Sequence, residues 1–527
     1  MRFRFVICTL VLAVVFGSMA CREDQVATED ITLTLDSLEH KLEWLDHRLA
    51  LENWLLLTTG TADSLEFYRA LQDRVVSDRM ALDGFHAGMK QLGDEEDRRR
   101  AAIVYSRLLL SQVELDPQIA VLRNSLSDRI GRHRPVFEGQ PHSRDSLNSV
   151  YLNDRSRPRR ELAYRAINAL GTEVSDDAAQ LFRLRNQKAR QLGYNDFFRL
   201  VFSVSEFSLD EYLTLLKFLD SSTVGPYQDV INRMRNRVFN SDAEIWDLPT
   251  EYAPALRDID RYFPADSQLR YVKRGLQGLG FDIDDMPIYL NSRVSDGNSP
   301  FVQSLQVRPP YDVRIVFSLT DGLATARGLA QEFGTAIRSV LFSQPQGLFT
   351  NVSATWLEGM SCVLSDIVER DDWLRDYASV PDNLVNRFRE ARRIQGLVEL
   401  RQTLTLLWFE YEAYRDPNRD LNKLYWQLFE KHMHLPKHEE VMPWAIDAEF
   451  VDSPVSSQNH LLGKLISAQT LAYLKRSNDS VVGNPETRSF LVQNYYRFGG
   501  RFEWGELLER GTGESLDPTY LLESLGL

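Results

Sequence analysis

The chain has 527 residues, of which 43% are hydrophobic and 26% charged, with a formal net charge of -14. That apolar content places it among folding chains rather than disordered ones, and its length exceeds that of an ordinary single domain. The acidic balance, without any basic stripe, excludes a phosphate backbone as partner, so no nucleic acid is expected.

The first residues read as an export signal and not as part of the fold. Arg2 and Arg4 precede an apolar run from Phe5 to Phe16, and Ser18-Met19-Ala20 places small residues just before Cys21. The run falls short of the length that a membrane-spanning helix needs. Cys21 stands where a bacterial lipoprotein carries its lipidated cysteine, and the segment resembles a lipobox with Ser18 in place of the usual leucine. Residues 1–20 are therefore expected to be cleaved, Cys21 to carry a lipid that tethers the protein to a membrane, and residues 21–30 to form a polar tether. Plain secretion is the alternative, and either outcome places the protein in the cell envelope or outside it. Cys8 leaves with the signal and Cys21 is acylated, so Cys362 alone remains and no internal disulfide can form.

From Leu38 onward apolar residues recur at helical spacing, through Leu42, Leu45, Leu49 and Trp54-Leu55. The same three- and four-residue period marks Arg98 to Val113, Ala178 to Leu192, Leu209 to Leu219, Gly396 to Glu412 and Asn459 to Tyr473. An all-α fold follows. The exception is Tyr311 to Leu319, where Val313, Ile315 and Phe317 alternate with polar or small neighbours and predict one short strand. Turn formers mark loops at Asn153–Pro158, Pro249–Pro254, Asp296–Pro300 and Gln344–Gly347. None reads as a flexible interdomain linker, so residues 31–527 are expected to form one large two-lobed unit.

Thr320-Asp321 can cap a helix that runs from Ala324 to about Leu341. Inside it lies Gln331-Glu332-Phe333-Gly334-Thr335, and residues 331 and 335 project from one face, one turn apart. That is the geometry by which the two histidines of an H-E-x-x-H motif chelate zinc, and here both histidines are missing. Glu358, within Trp356-Leu357-Glu358-Gly359-Met360, sits on a predicted second helix whose carboxylate can face the first.

This arrangement resembles the gluzincin peptidases of the thimet-oligopeptidase and angiotensin-converting-enzyme families, in which the helix carries H-E-x-G-H and a glutamate on the next helix completes the zinc site. The likeness extends to Asp312-Val313-Arg314-Ile315 with Thr320-Asp321, to Leu184-Arg185-Asn186 with Leu192-Gly193-Tyr194 and Phe197-Phe198, and to Gln458 through Gly463 with Gln469, Asn484-Pro485 and Trp504 through Gly513. It implies a two-lobed helical oligopeptidase fold with a central cleft, a degenerate active-site region at 311–365 and a second site element at 450–470. Carried over by position, Gln331, Thr335 and Glu358 stand at the ligand positions and Glu332 at that of the general base. Neutral amide and hydroxyl groups are poor zinc ligands, so no metal or other cofactor is expected. Without a metal the base faces water whose pKa is about 15.7, and Glu332 is expected to be idle. The family's tyrosines, which stabilise the oxyanion, are replaced in Pro454-Val455-Ser456-Ser457-Gln458-Asn459-His460. Ser456 and Ser457 are too short to reach the same point, and His460 is a donor of different reach; all three are expected in the cleft.

The resemblance therefore implies an exported, inactive peptidase-like protein that binds a peptide or protein. Two alternatives remain: an active metallopeptidase of oligopeptidase or dipeptidyl-carboxypeptidase type with an atypical zinc or harder-ion site, and a structural lipoprotein whose cleft is filled. Glu332 and Glu358 also read simply as carboxylates joining two helices, with Arg327 or Arg338 supplying the pairing charge. His432, His434 and His438 read as a surface loop broken by Pro436, and Cys362 as a buried, unreactive residue.

Overall fold

The computed structural model describes residues 4–237, 242–292, 301–344, 351–478 and 480–527, with side chains from Ile31 onward. The expected loops at 296–300 and 345–347, and the side chains of the export segment, Cys21 and the tether, lie outside the described residues. The fold is all-α. Each periodic segment lies in a helix: Glu95–Glu114, Gly171–Gln191, Leu209–Arg237, Asp382–Arg415 and Ser457–Ser477. On the first of these Val104, Leu108 and Val113 are wholly buried, the stripe that the period requires. One contiguous buried apolar cluster extends from Ile31 to Leu522, and Trp356, Trp373 and Trp426 are enclosed in the protein. A smaller cluster around Phe137 and Leu147 sits beside a short hairpin of β1 (Val136–Phe137) and β2 (Gln140–Pro141). Among the described residues no helix is long and apolar enough to cross a membrane.

The single strand expected at Tyr311–Leu319 is the centre of a three-stranded sheet. β5 (Asp312–Ser318) pairs in parallel with β3 (Ile288–Asn291) and antiparallel with β4 (Phe301–Arg308), in the order β3-β5-β4. Val313, Ile315 and Val316 are fully buried. β4 is one of the two edges, and the N-terminal helix Arg4–Thr59 packs on it, with His47 Nδ1 2.7 Å from the Val307 carbonyl. An edge strand covered in this way cannot template pairing with another chain.

β5 leads directly into the motif helix, Leu323–Val340. Its cap differs from the sequence expectation. The N-cap residue is Gly322, at φ 120°, and the first-turn N–H of Leu323 donates to Asp260 Oδ1 at 3.1 Å. Asp321 instead accepts from Ala265 N at 2.8 Å, in the first turn of the helix Ala265–Gly278. Two helix starts thus exchange carboxylates across the chain, which no local reading of the caps can find.

Candidate functional site at the motif helix

The site is built from the motif helix, the glutamate helix Ala354–Val368 and the histidine helix Ser457–Ser477. The first two run antiparallel: Thr335 Oγ1 lies 2.8 Å from Ser361 Oγ, while Arg327, two turns earlier, reaches Asp366 and Glu369 at 3.8 and 3.6 Å. Glycine permits their closeness, since a Cβ on Gly334 would stand 3.2 Å from Ser361 Cα. The third helix is closer still, as a Cβ on Gly463 would lie 2.6 Å from Glu358 Cγ. The sequence positions 332, 335 and 358 are therefore brought together by two packed helix faces.

Each carboxylate is held by a different device. Glu332 is half-buried and accepts from the Ser304 N–H of β4 at 2.7 Å. Burial pushes its carboxyl up to about 7, the Ser304 bond works the other way, and the charge of Glu358 adds to the rise. Glu358 Oε1 lies 3.1 Å from His460 Nδ1, and the other ring nitrogen, Nε2, lies 3.1 Å from Glu449 Oε1. Carboxylates at both ring nitrogens favour the doubly protonated, cationic form of the imidazole. Hydrogen bonds to Glu358 and Glu449 raise its pKa to about 10, against a smaller opposing effect of burial. Glu449, on the short helix Ala448–Asp452, also accepts from the Ser457 hydroxyl, and its own pKa is lowered, first by His460.

The pairing cation expected from Arg327 or Arg338 is therefore His460. Arg327 is drawn to Asp366 and Glu369, because the antiparallel crossing sets it beside the far end of the glutamate helix. Arg338 is fully buried beside Tyr496 and donates to Ser339 Oγ at 3.3 Å. Cys362 is buried, its thiol pKa pushed up by burial, with Sγ 3.7 Å from Glu358 Oε1; the expected inert character fits a thiol held in its neutral form.

The reading of His432, His434 and His438 as a surface loop needs correction. His432 closes the helix Leu421–Met433, is wholly buried, and sits 2.9 Å from Asp220 Oδ1; His438 is buried with Nε2 2.7 Å from Glu244 Oε2. His434 takes a left-handed conformation at φ 51° and ends that helix ahead of Pro436. Separate carboxylates hold the two buried rings, which a sequence scan for chelating spacing overlooks. Among the described residues no three His, Cys, Asp or Glu side chains converge as a set of metal ligands.

A cleft of about 930 Å³ is lined by the starts of the glutamate and histidine helices, and Gln331, Glu332, Thr335 and Glu358 are not among its lining residues. Its walls include Tyr105 and Arg107 of the helix Glu95–Glu114, Val352 to Thr355 at the start of the glutamate helix, and Ser453 to Ser456. Of the residues expected there, Ser456 lines it, whereas Ser457 and His460 are turned to Glu449 and Glu358. The turn at Val455 is strained for a β-branched residue, at φ 55°, and Glu410 Oε1 fixes it by accepting the Val455 N–H at 2.7 Å. Burial pushes the Glu410 carboxyl up to about 8. Neither Glu410 nor Glu449 was visible as a site residue: each lies far from the motif in sequence, and only the fold brings it near.

As a set of zinc donors, the residues present do not fit. Gln331 offers an amide, the Thr335 hydroxyl is bonded to Ser361, and the one carboxylate at a ligand position is ion-paired. In comparison with known proteins, no family model matches the chain and no curated protein matches it.

Proposed function

We propose that the chain is an exported, peptidase-like protein of gluzincin type that no longer hydrolyses peptides and binds a peptide or protein segment in its cleft. The observation that carries this reading is the salt link of Glu358 to His460 at 3.1 Å. At the position where the resembling families hold zinc with a glutamate, a fixed imidazolium supplies the positive charge. The motif register, with Glu332 at the base position and no imidazole at 331 or 335, supports the same conclusion. The open cleft of about 930 Å³ speaks against the alternative in which side chains have filled it. Its lining mixes apolar side chains with the polar Ser353, Thr355, Ser456 and Asn459, a surface suited to an extended peptide.

Two measurements test the proposal together. Metal analysis of the purified protein is expected to return no stoichiometric zinc, and a short-peptide library is expected to remain uncut with or without added zinc, manganese or calcium. Fluorescence anisotropy with labelled peptides is expected to show binding that Ser456→Trp, which fills the cleft, weakens. Nanomolar zinc affinity with chelator-sensitive cleavage that Glu332→Gln abolishes would establish the active metallopeptidase instead, and absence of any peptide binding would favour the structural lipoprotein.

A further inference from the structure

A second cavity, of about 430 Å³, lies apart from the cleft and shares no lining residue with it. It is enclosed by the helices Asp382–Arg415 and Leu421–Met433, by Arg144 and by the segment Pro443–Ala448. Its polar groups are under-used. Arg144 Nη1 reaches the Ile446 carbonyl at 3.5 Å, and no carboxylate among the described residues stands within ion-pair distance of that guanidinium. Asp447 accepts from Glu449 N through Oδ1 at 3.0 Å and has no cation at ion-pair distance among the described residues. Burial pushes its carboxyl up to about 6 while the charge of Arg144 works the other way, so the two groups feel each other without touching. The Tyr425 side chain, on a residue only 6% exposed, and Gln402 also line the cavity. Leu406 and Phe429 supply an apolar wall.

A cation and an anion that face one half-enclosed cavity without pairing at ion-pair distance define the ligand that would satisfy both. A neutral apolar molecule would desolvate two charges without compensation, and a singly charged one would leave the other charge alone. We infer that this cavity binds a small zwitterion, a free apolar α-amino acid or a dipeptide, with its carboxylate on Arg144, its ammonium on Asp447 and its side chain against Leu406 and Phe429. The Tyr425 hydroxyl and the Gln402 amide then meet the remaining polar atoms of the ligand. The volume excludes a longer peptide, which the larger cleft would take. This inference stands whether or not the cleft binds peptides.

Titration calorimetry on the full mature chain tests it, with L-leucine, dileucine, leucinamide and N-acetylleucine as probes. Leucine or dileucine is expected to bind, and capping either charged end is expected to weaken binding by roughly tenfold or more. Arg144→Gln should erase the preference for leucine over leucinamide, and Asp447→Asn the preference over N-acetylleucine. Tyr425→Phe, which keeps the packing of the ring, guards against a folding defect and should weaken every zwitterionic probe. Failure of all zwitterions to bind below about 10 mM, or discrimination that survives both charge-removing variants, overturns the assignment.

Discussion

The pairing of His460 makes the sharpest prediction, because its sign and its pH window are both fixed. The ring is 51% exposed, and its pKa rises from the ordinary 6.5 to about 10 through bonds to Glu358 and Glu449. At about 1.36 kcal/mol per unit the whole rise would be worth roughly 5 kcal/mol, an upper bound that applies only without solvent screening. Half-exposure reduces it to about 1–2 kcal/mol. A base whose folded pKa is raised stabilises the fold fully below its unfolded value and loses that contribution as pH climbs through the folded value. The link should therefore hold from mildly acidic pH to about pH 9 and fail through pH 10. On the acid side the depressed pKa of Glu449 works in the opposite sense: its share is present above the usual carboxylate range and is lost as pH falls through its lowered value. The assay is two-fold. The NMR signal of the His460 ring should stay in its protonated position from pH 5 to 8, and His460→Gln should cost about 1–2 kcal/mol in urea denaturation at pH 7 but little at pH 11. A ring that titrates near pH 6.5, or a variant cost that does not change with pH, refutes the reasoning.

Three further outcomes follow from the same geometry. Glu332 has a folded pKa of about 7, raised by burial, so ionising it opposes folding and stability should fall as pH rises from the usual carboxylate range through 7; Glu332→Gln, which keeps an oxygen for the Ser304 N–H, should gain up to about 3 kcal/mol at pH 8 and nothing at pH 4. Gly463→Ala drives a methyl to 2.6 Å from Glu358 Cγ and 3.0 Å from the Glu358 carbonyl carbon, and should lower stability by about 1–3 kcal/mol, read as a fall in the urea midpoint. A double replacement, Gln331→His with Thr335→His, should bind zinc weakly in calorimetry while His460 occupies Glu358, and adding His460→Ala should tighten it by roughly tenfold or more; equal affinities in the two backgrounds would show that Glu358 is not the group withheld.

What the sequence made legible divides along physical lines. The helices were readable because burial of one face imposes a period over many residues, and β5 was readable because Val313, Ile315 and Phe317 alternate. β3 and β4 were not: β3 spans Ile288–Asn291 alone, and β4 carries adjacent apolar residues at Phe301 and Val302 that blur its alternation. The site divides in the same way. Residues 331, 332 and 335 share a helix face by arithmetic, Glu358 was read on the next helix, and only its place among ligand positions followed from the likeness to the peptidases. Thr335 meeting Ser361, Ser304 donating to Glu332, and Glu449 closing on His460 are contacts between elements distant in sequence, for which a single chain holds no periodic signal. Arg327 was the nearest cation by helical count and the wrong one, because the crossing direction of two helices decides which turn of one faces which turn of the other.

Glu332 and Glu358 lie close enough inside a helix pair for the charge of Glu358 to raise the Glu332 pKa, and the two carboxylates are held in unlike ways. A divalent ion would neutralise both at once. Here Glu332 is steadied by one backbone N–H and its carboxyl is pushed up to about 7, while Glu358 stands 3.1 Å from the His460 ring. The two solutions depend on each other: a proton on Glu332 removes the repulsion that His460 would otherwise have to offset, and the cation at His460 limits how far Glu358 can push Glu332 upward. A zinc ion arriving at Glu358 would first have to displace a ring flanked by carboxylates at both nitrogens. The same contacts that join the three helices therefore set the cost of placing any other cation beside Glu358.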